Sequence, residues 1–130
     1  MQITTTKQDF FMQATLELNS QAVVMKAYGN AYKALGLNID QAAALVGVGR
    51  STLIRNNNGF ALGSKQAELQ VLFIRMYRSL YAVFGGNLQA MVHWFENTNR
   101  HIRGVPRDLC FTVTGLVNIN GYLDGLRGKT

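Results

Sequence analysis

The chain is poor in the residues from which disulfide, metal and catalytic sites are built. Its 130 residues include one cysteine, Cys110, and two histidines, His93 and His101. A single cysteine excludes an internal disulfide, and one thiol with two imidazoles in unlike settings falls short of the four ligands of a structural zinc site. We therefore predict no metal site, no cofactor and no catalytic residues, and we expect a reducing, cytoplasmic environment.

Long apolar runs are also missing. The longest apolar segment, residues 69–84, is interrupted by Arg75 and Arg78. A membrane-spanning helix needs about 20 predominantly apolar residues, so we predict no membrane span. The N-terminus lacks the basic start and continuous apolar stretch of a secretion signal.

Acidic residues are few, since 7 Asp and Glu stand against 13 Lys and Arg and give a formal net charge of +6. The excess is concentrated in residues 41–78, where Glu68 is the single acid among five basic residues: Arg50, Arg55, Lys65, Arg75 and Arg78. A polyanion bound to such a region gains affinity from the release of its counterions. The charge therefore favours a nucleic-acid partner.

The apolar residues recur at helical spacing, and no segment alternates as a strand does. We predict an all-α fold, a helix-turn-helix bundle followed by a small C-terminal helical domain. The expected parts are a helical extension over residues 1–19, a helix-turn-helix domain over 20–86 and a C-terminal domain over 87–130. Separate helices are expected from Lys7 to Leu18 and from Ser20 to Leu35, and the last helix is expected to follow Gly115.

Several residues are placed where they can start a helix. Asn38 and Gln41 have the spacing of a polar capping box. Ser64 and Asn87 precede apolar helical patterns as N-caps do, and Pro106 suits a first helical turn because its missing N–H needs no partner there.

Residues 39–56 have the pattern of a DNA-binding helix-turn-helix. Ala43 falls where the two helices cross closely, Gly47 where the turn needs a positive φ, and Val46, Val48 and Leu53 where side chains enter the shared core. The second helix of this motif enters the major groove. We predict double-stranded DNA as its partner and the following DNA-binding residues: Arg50, Ser51, Thr52, Arg55, Asn56, Asn57 and Lys65. The alternative is an ordinary helical hairpin whose arginines are solvated.

A dimer is expected, because one short helix contacts too few bases to select a site in a genome. Two apolar surfaces compete for the dimer contact. One is the wide apolar face of the long helix around Phe73, Met76, Tyr77, Leu80, Tyr81 and Phe84. The other lies near the C-terminus and gives the predicted partner-binding residues Trp94, Tyr122, Leu123 and Leu126.

Most of the chain, the helix-turn-helix and the C-terminal part together, resembles the Xre/MbcA/ParS antitoxins and the orphan Xre-type regulators related to them. The resemblance is carried, in order, by His93-Trp94-Phe95, Asn99, Gly104-Val-Pro106, Leu109, Gly115-Leu116-Val117 and the segment from Tyr122 to Gly128. The chain departs from the family at Arg103, where a second glycine is common, and at Cys110-Phe111. The resemblance implies a dimer that binds DNA and, in antitoxin members, holds a toxin through the C-terminal domain.

Two hypotheses follow. The first is a sequence-specific transcriptional regulator that acts as a dimer on a palindromic operator. The alternative is an antitoxin that neutralises a co-encoded toxin through its C-terminal domain and represses its own operon.

Overall fold

A computed structural model of the chain describes the backbone of residues 6–128 and the side chains of Thr6 and of residues 20–128. Within that range the chain forms helices and no strand, and Asn99 and Gly104 make an isolated antiparallel bridge. The predicted all-α class is confirmed. No helix among these residues is long and apolar enough to cross a membrane. The helices are α1 (Lys7–Ala34), α2 (Ile39–Leu45), α3 (Arg50–Arg55), α4 (Lys65–Val83), α5 (Leu88–Glu96), α6 (Pro106–Leu109) and α7 (Val113–Leu126).

Helix α1 is continuous over 28 residues, so the predicted break before Ser20 is wrong. Asn19 and Ser20 are weak helix formers, but neither a proline nor a left-handed glycine is present to end the helix there. The apolar side chains expected to align in the first half, Phe10, Phe11, Ala14 and Leu18, lie outside the described side chains.

The C-terminal end of α1 has a sharp stop at Gly36, as expected for a glycine in this place. Gly36 has a φ of +82°, and the amide of Leu37 donates to the carbonyl of Tyr32 at 2.9 Å. The amide of Gly36 donates to the carbonyl of Lys33 at 3.1 Å. These two bonds are the pair that closes a Schellman motif, and they fix the direction in which the chain leaves α1.

Helix α4 lies at the centre of the core, where it packs against both α1 and α7. Phe73, Met76 and Leu80 are completely buried. The ring of Phe73 meets Tyr28 of α1 and Phe95 of α5 edge to face, at centroid distances of 5.7 and 6.5 Å. Most of the apolar face that sequence reasoning offered as a dimer surface is therefore occupied by the chain's own helices.

The predicted helix-turn-helix forms between α2 and α3. Asn38 and Gln41 make the expected capping box, with bonds of 2.8 and 2.9 Å. Gly47 has a φ of +75°, and the amide of Val48 donates to the carbonyl of Ala43 at 3.0 Å. Ala43 is buried, as are the predicted core residues Val46 and Leu53, while Val48 is partly buried against the core.

The buried hydroxyl of Tyr28 connects α1 to this motif. Tyr28 is fully buried and its hydroxyl donates to the carbonyl of Ala42 at 2.6 Å. That carbonyl lies near the end of α2. The amide of Val46, four residues later, donates to the carbonyls of Ala43 and Ala44 instead of to that of Ala42. Burial raises the pKa of Tyr28 well above its usual value, so the hydroxyl keeps its proton as a donor.

We expect Tyr28→Phe to lower the free energy of unfolding by about 1–3 kcal/mol, because the Ala42 carbonyl would stay buried without its partner. Tyr32→Phe is the control, since Tyr32 is also buried and its hydroxyl has no hydrogen-bond partner among the residues that the structure describes. Urea denaturation of both variants measures the difference. Equal stability of the two variants would contradict the role given to the Tyr28 hydroxyl.

The predicted caps of the remaining helices form. Ser64 accepts from Ala67 at 3.2 Å and Asn87 accepts from Ala90 at 3.1 Å, while Pro106 opens α6. The expected start of α7 after Gly115 is wrong, because α7 begins at Val113. Its cap is Thr112, whose hydroxyl accepts from the amide of Gly115 at 3.0 Å and so draws Gly115 into the first turn.

Candidate nucleic-acid interface and partner-binding domain

The second helix of the motif, α3, presents one exposed face. Leu53 is buried against the core, and Arg50, Ser51 and Arg55 are exposed. Successive residues of a helix are about 100° apart, so Ser51 and Arg55, each two positions from Leu53, lie on the arc away from it, and Arg50, three positions before Leu53, is exposed to one side of that arc. Thr52 is half-buried at the edge of that arc.

The two arginines of α3 keep their charged groups in solvent. Arg50 lies 3.8 Å from the carboxylate of Asp40, and more than half of each side chain is exposed. Arg55 donates to the hydroxyl of Thr52 at 3.3 Å along the helix surface. Exposed pairs of this kind contribute little to the free energy of folding. Both guanidinium groups can therefore exchange these partners for a polyanion at small cost.

The other predicted DNA-binding residues differ in their surroundings. Asn56 donates its side-chain amide to the carbonyl of Thr52 at 2.7 Å and so closes the end of α3, whereas Asn57 is exposed. Lys65 is the first residue of α4, is exposed, and lies 3.7 Å from Glu68. Ser51, Arg50 and Arg55 thus share one helix face, while Lys65 stands on a separate element.

Sequence reasoning missed Ile54. This side chain is half-exposed on α3, between Leu53 and Arg55. An apolar side chain on a helix that enters the major groove can contact the methyl group of thymine. The signal was available, because Ile54 follows Arg50 by four residues and therefore lies on the same face.

The predicted partner-binding residues of the C-terminal part do not form one patch. Tyr122 is half-buried in a stack of rings, 6.4 Å from Trp94 on one contact and 5.4 Å from His101 on the other. Leu126 is half-exposed, but Leu123 has no exposed surface and packs in the core. Consecutive helix positions face different directions, so Leu123 cannot share a surface with Tyr122 and is a core residue in this conformation.

The residues that carry the family resemblance hold the C-terminal helices together. Asn99 and Gly104 exchange backbone hydrogen bonds of 2.8 and 3.2 Å, and the side chain of Asn99 accepts from the amides of His101 and Ile102. Gly104 faces Leu109. A Cβ added at Gly104 would lie 3.1 Å from Cδ1 of Leu109, which is a tight contact. These contacts close the loop between α5 and α6.

Arg103 has a φ of +58°, in the left-handed region that favours glycine. The resemblance described above leads us to expect a glycine at this position, and the left-handed φ would favour one. An arginine at this position therefore strains the backbone.

We expect Arg103→Gly to raise the free energy of unfolding by about 0.5–1 kcal/mol, the relief of left-handed strain less the entropy that glycine adds to the unfolded chain. Arg100→Gly removes the same charge from the same loop at a position without positive φ. That control should lower stability. Thermal unfolding of the two variants measures the contrast, and a loss in both would refute the strain at Arg103.

Cys110 packs in the core. It is 1% exposed, and its thiol donates to the carbonyl of Arg107 at 3.2 Å. Burial raises the pKa of Cys110 to about 12, so the thiol is protonated and unreactive near neutral pH. Within the described residues, no three His, Cys, Asp or Glu side chains are grouped so that they could hold a metal ion.

The fold and the exposed basic face of α3 define a helix-turn-helix protein with a second, C-terminal helical domain. Residues 14–75 match the antitoxin Xre-like helix-turn-helix domain, and residues 79–129 match the antitoxin Xre/MbcA/ParS C-terminal toxin-binding domain. The chain belongs to the Xre/MbcA/ParS antitoxin family with its related Xre-type regulators, and the predicted resemblance is confirmed. A search of curated proteins found no similar sequence.

The two domains set the broad function. A helix-turn-helix domain of this family implies DNA binding, and the C-terminal domain implies toxin binding. Both domains belong to antitoxins and regulators, which are not enzymes. The chain is therefore a DNA-binding regulator of antitoxin type.

Proposed function

We propose that the chain is a cytoplasmic, sequence-specific transcriptional regulator that binds a palindromic operator as a dimer. The observation that carries this proposal is the exposed arc of α3, where Ser51 and Arg55 lie opposite the buried Leu53 and Arg50 is exposed beside them at the start of the helix. In a helix-turn-helix that arc is the surface that meets base edges.

The residue types suggest which residues of this surface contact bases and which contact phosphates. Arg50 and Arg55 can each pair with O6 and N7 of a guanine, because a guanidinium group offers two parallel donors. Ser51 and Thr52 can donate to bases or to phosphates, and Ile54 can contact a thymine methyl group. Lys65, Asn56 and Asn57 supply phosphate contacts, which set orientation and affinity more than sequence preference.

We expect the chain to bind as a dimer to two half-sites whose centres are about 10–10.5 base pairs apart, or a multiple of that spacing. Duplexes enriched by the wild-type chain from a random library give the operator, and footprinting on the enriched duplex gives the spacing. Light scattering at micromolar concentration gives the mass in solution. A single unpaired half-site together with the mass of one chain would contradict the dimer.

A second candidate function is that of an antitoxin that also represses its own operon. The match of residues 79–129 to a toxin-binding domain favours it. In that case a neighbouring gene encodes the toxin, and its product co-purifies with the full-length chain and is inhibited by it. Without such a gene the stand-alone regulator is the better description.

A further inference from the structure

The guanidinium group of Arg107 connects the C-terminal domain to the start of the helix-turn-helix. Arg107 lies in α6, and its Nη1 donates to Oε1 of Glu96 in α5 at 3.0 Å. Its Nη2 lies 3.4 Å from the carbonyl oxygen of Gly36 and 3.5 Å from Oε1 of Gln41. One side chain thus joins α5 and α6 to the turn between α1 and α2.

Both acceptors of Nη2 occupy defining positions of the DNA-binding motif. Gly36 ends α1, and a positive charge beside the last carbonyls of a helix is favourable. The Gln41 oxygen is the same atom that accepts from the amide of Asn38 at 2.9 Å in the capping box of α2. Arg107 therefore contacts the end of α1 and the cap of α2 at once.

The helices α2 and α3 are expected to move together, because Ala43, Val46 and Leu53 bury their contact and the Val48 amide bonds to Ala43. A shift at the start of α2 would therefore tilt α3. We propose that Arg107 is a positioning residue for DNA binding, which fixes the orientation of α3 relative to the rest of the chain. This proposal rests on the proposed function, since it concerns the same DNA interface.

The positioning role of Arg107 requires the two terminal nitrogens of its guanidinium group. Its two terminal nitrogens bind different acceptors, Nη1 the Glu96 carboxylate and Nη2 the Gly36 and Gln41 oxygens, and a lysine ammonium retains the charge but cannot reach these acceptors with the same planar geometry. Each contact to the motif is long and the side chain is partly exposed. The expected loss of affinity is therefore modest, about 3- to 10-fold.

The test compares Arg107→Lys and Arg107→Ala with Arg100→Lys and Arg100→Ala, using the duplex enriched by the wild-type chain. Arg100 is exposed in the loop between α5 and α6 and makes no side-chain hydrogen bond or ion pair with any described residue, so it matches the change in charge. Fluorescence anisotropy gives the Kd over a range of salt concentrations. Hydrogen exchange of the amides of residues 38–45 in the free chain reports on the contact independently of DNA.

We expect both Arg107 variants to weaken DNA binding 3- to 10-fold with an unchanged salt slope. We also expect them to speed hydrogen exchange in α2. Both Arg100 variants should bind DNA and exchange their amides like the wild-type chain. Normal binding by Arg107→Lys with equal losses in the two alanine variants would show an effect of charge alone and overturn the proposal. A salt slope reduced by about one would show a phosphate contact and also overturn it. If Arg107→Ala does not fold, Arg107→Lys decides.

Unchanged exchange in α2 of the Arg107→Lys variant overturns the positioning role whether or not DNA binds. Failure of the wild-type chain to enrich any duplex refutes the proposed function instead. The two failures are thus distinguishable.

Discussion

Gly115→Ala is expected to cost about 3 kcal/mol or more of the free energy of unfolding. A Cβ at this position would overlap the carbonyl oxygen of Leu109 and lie 2.8 Å from both the carbonyl carbon of Leu109 and the hydroxyl of Thr112. The overlap is with backbone, which cannot rotate away as a side chain could, so α6 and α7 would have to separate. Buried Leu116 and Cys110 would move with them.

Gly121→Ala is the matched control in the same helix. Gly121 is exposed, and a Cβ there would have nothing within 4 Å. Because alanine is the better helix former, this variant should gain up to about 1 kcal/mol. Thermal unfolding should therefore separate the two variants by more than 10 °C at this chain length. Equal melting temperatures would show that α7 does not pack on Leu109 through Gly115.

Replacing Arg50 and Arg55 together is expected to have the largest effect on DNA binding. Each bidentate contact to guanine is worth about 1–3 kcal/mol, and a dimer would make each contact twice. Each single substitution by alanine should thus cost about 2–6 kcal/mol, and the pair should remove the guanine preferences and leave mainly binding that is independent of sequence. Arg50 also gives up its partner Asp40 on binding, which is a small offset because both side chains are exposed.

Lys65→Ala serves as the contrasting variant. Lys65 lies on α4 and its ammonium group is exposed beside Glu68. A phosphate contact from this position would weaken the binding of all sequences alike and lower the salt slope by about one. If Lys65→Ala instead changed base preference, the division between base and phosphate contacts would be wrong.

Local signals in the sequence were sufficient for the starts of α2, α4 and α5 and for the motif itself, although not for the start of α7. Asn38 with Gln41, Ser64 and Asn87 cap the helices they were expected to cap, and Gly47 has the positive φ that the turn requires. Each of these depends on residues within a few positions, so the pattern carries the information. The continuity of α1 was missed because weak helix formers at Asn19 and Ser20 resemble a boundary.

Features that depend on distant contacts could not be predicted from spacing. Leu123 has the same residue type as the exposed Leu126, and only the packing of α7 on α4 distinguishes them. The bond between Tyr28 and Ala42 joins α1 to α2, and Arg107 meets Gly36 across 71 positions. At Arg103 the departure from the resemblance was visible in the sequence, but the left-handed backbone conformation was not.

The central claim is that the exposed face of α3 selects bases in duplex DNA. Its most direct test is a binding selection on one random duplex library, performed in parallel with the wild-type chain and with Arg55→Ala and sequenced to give the preference at each position. We predict that Arg55→Ala loses a guanine preference at one position in each half-site and keeps the others. An unchanged preference at every position, with the variant folded and binding, would contradict the assignment of α3 as the helix that contacts the bases.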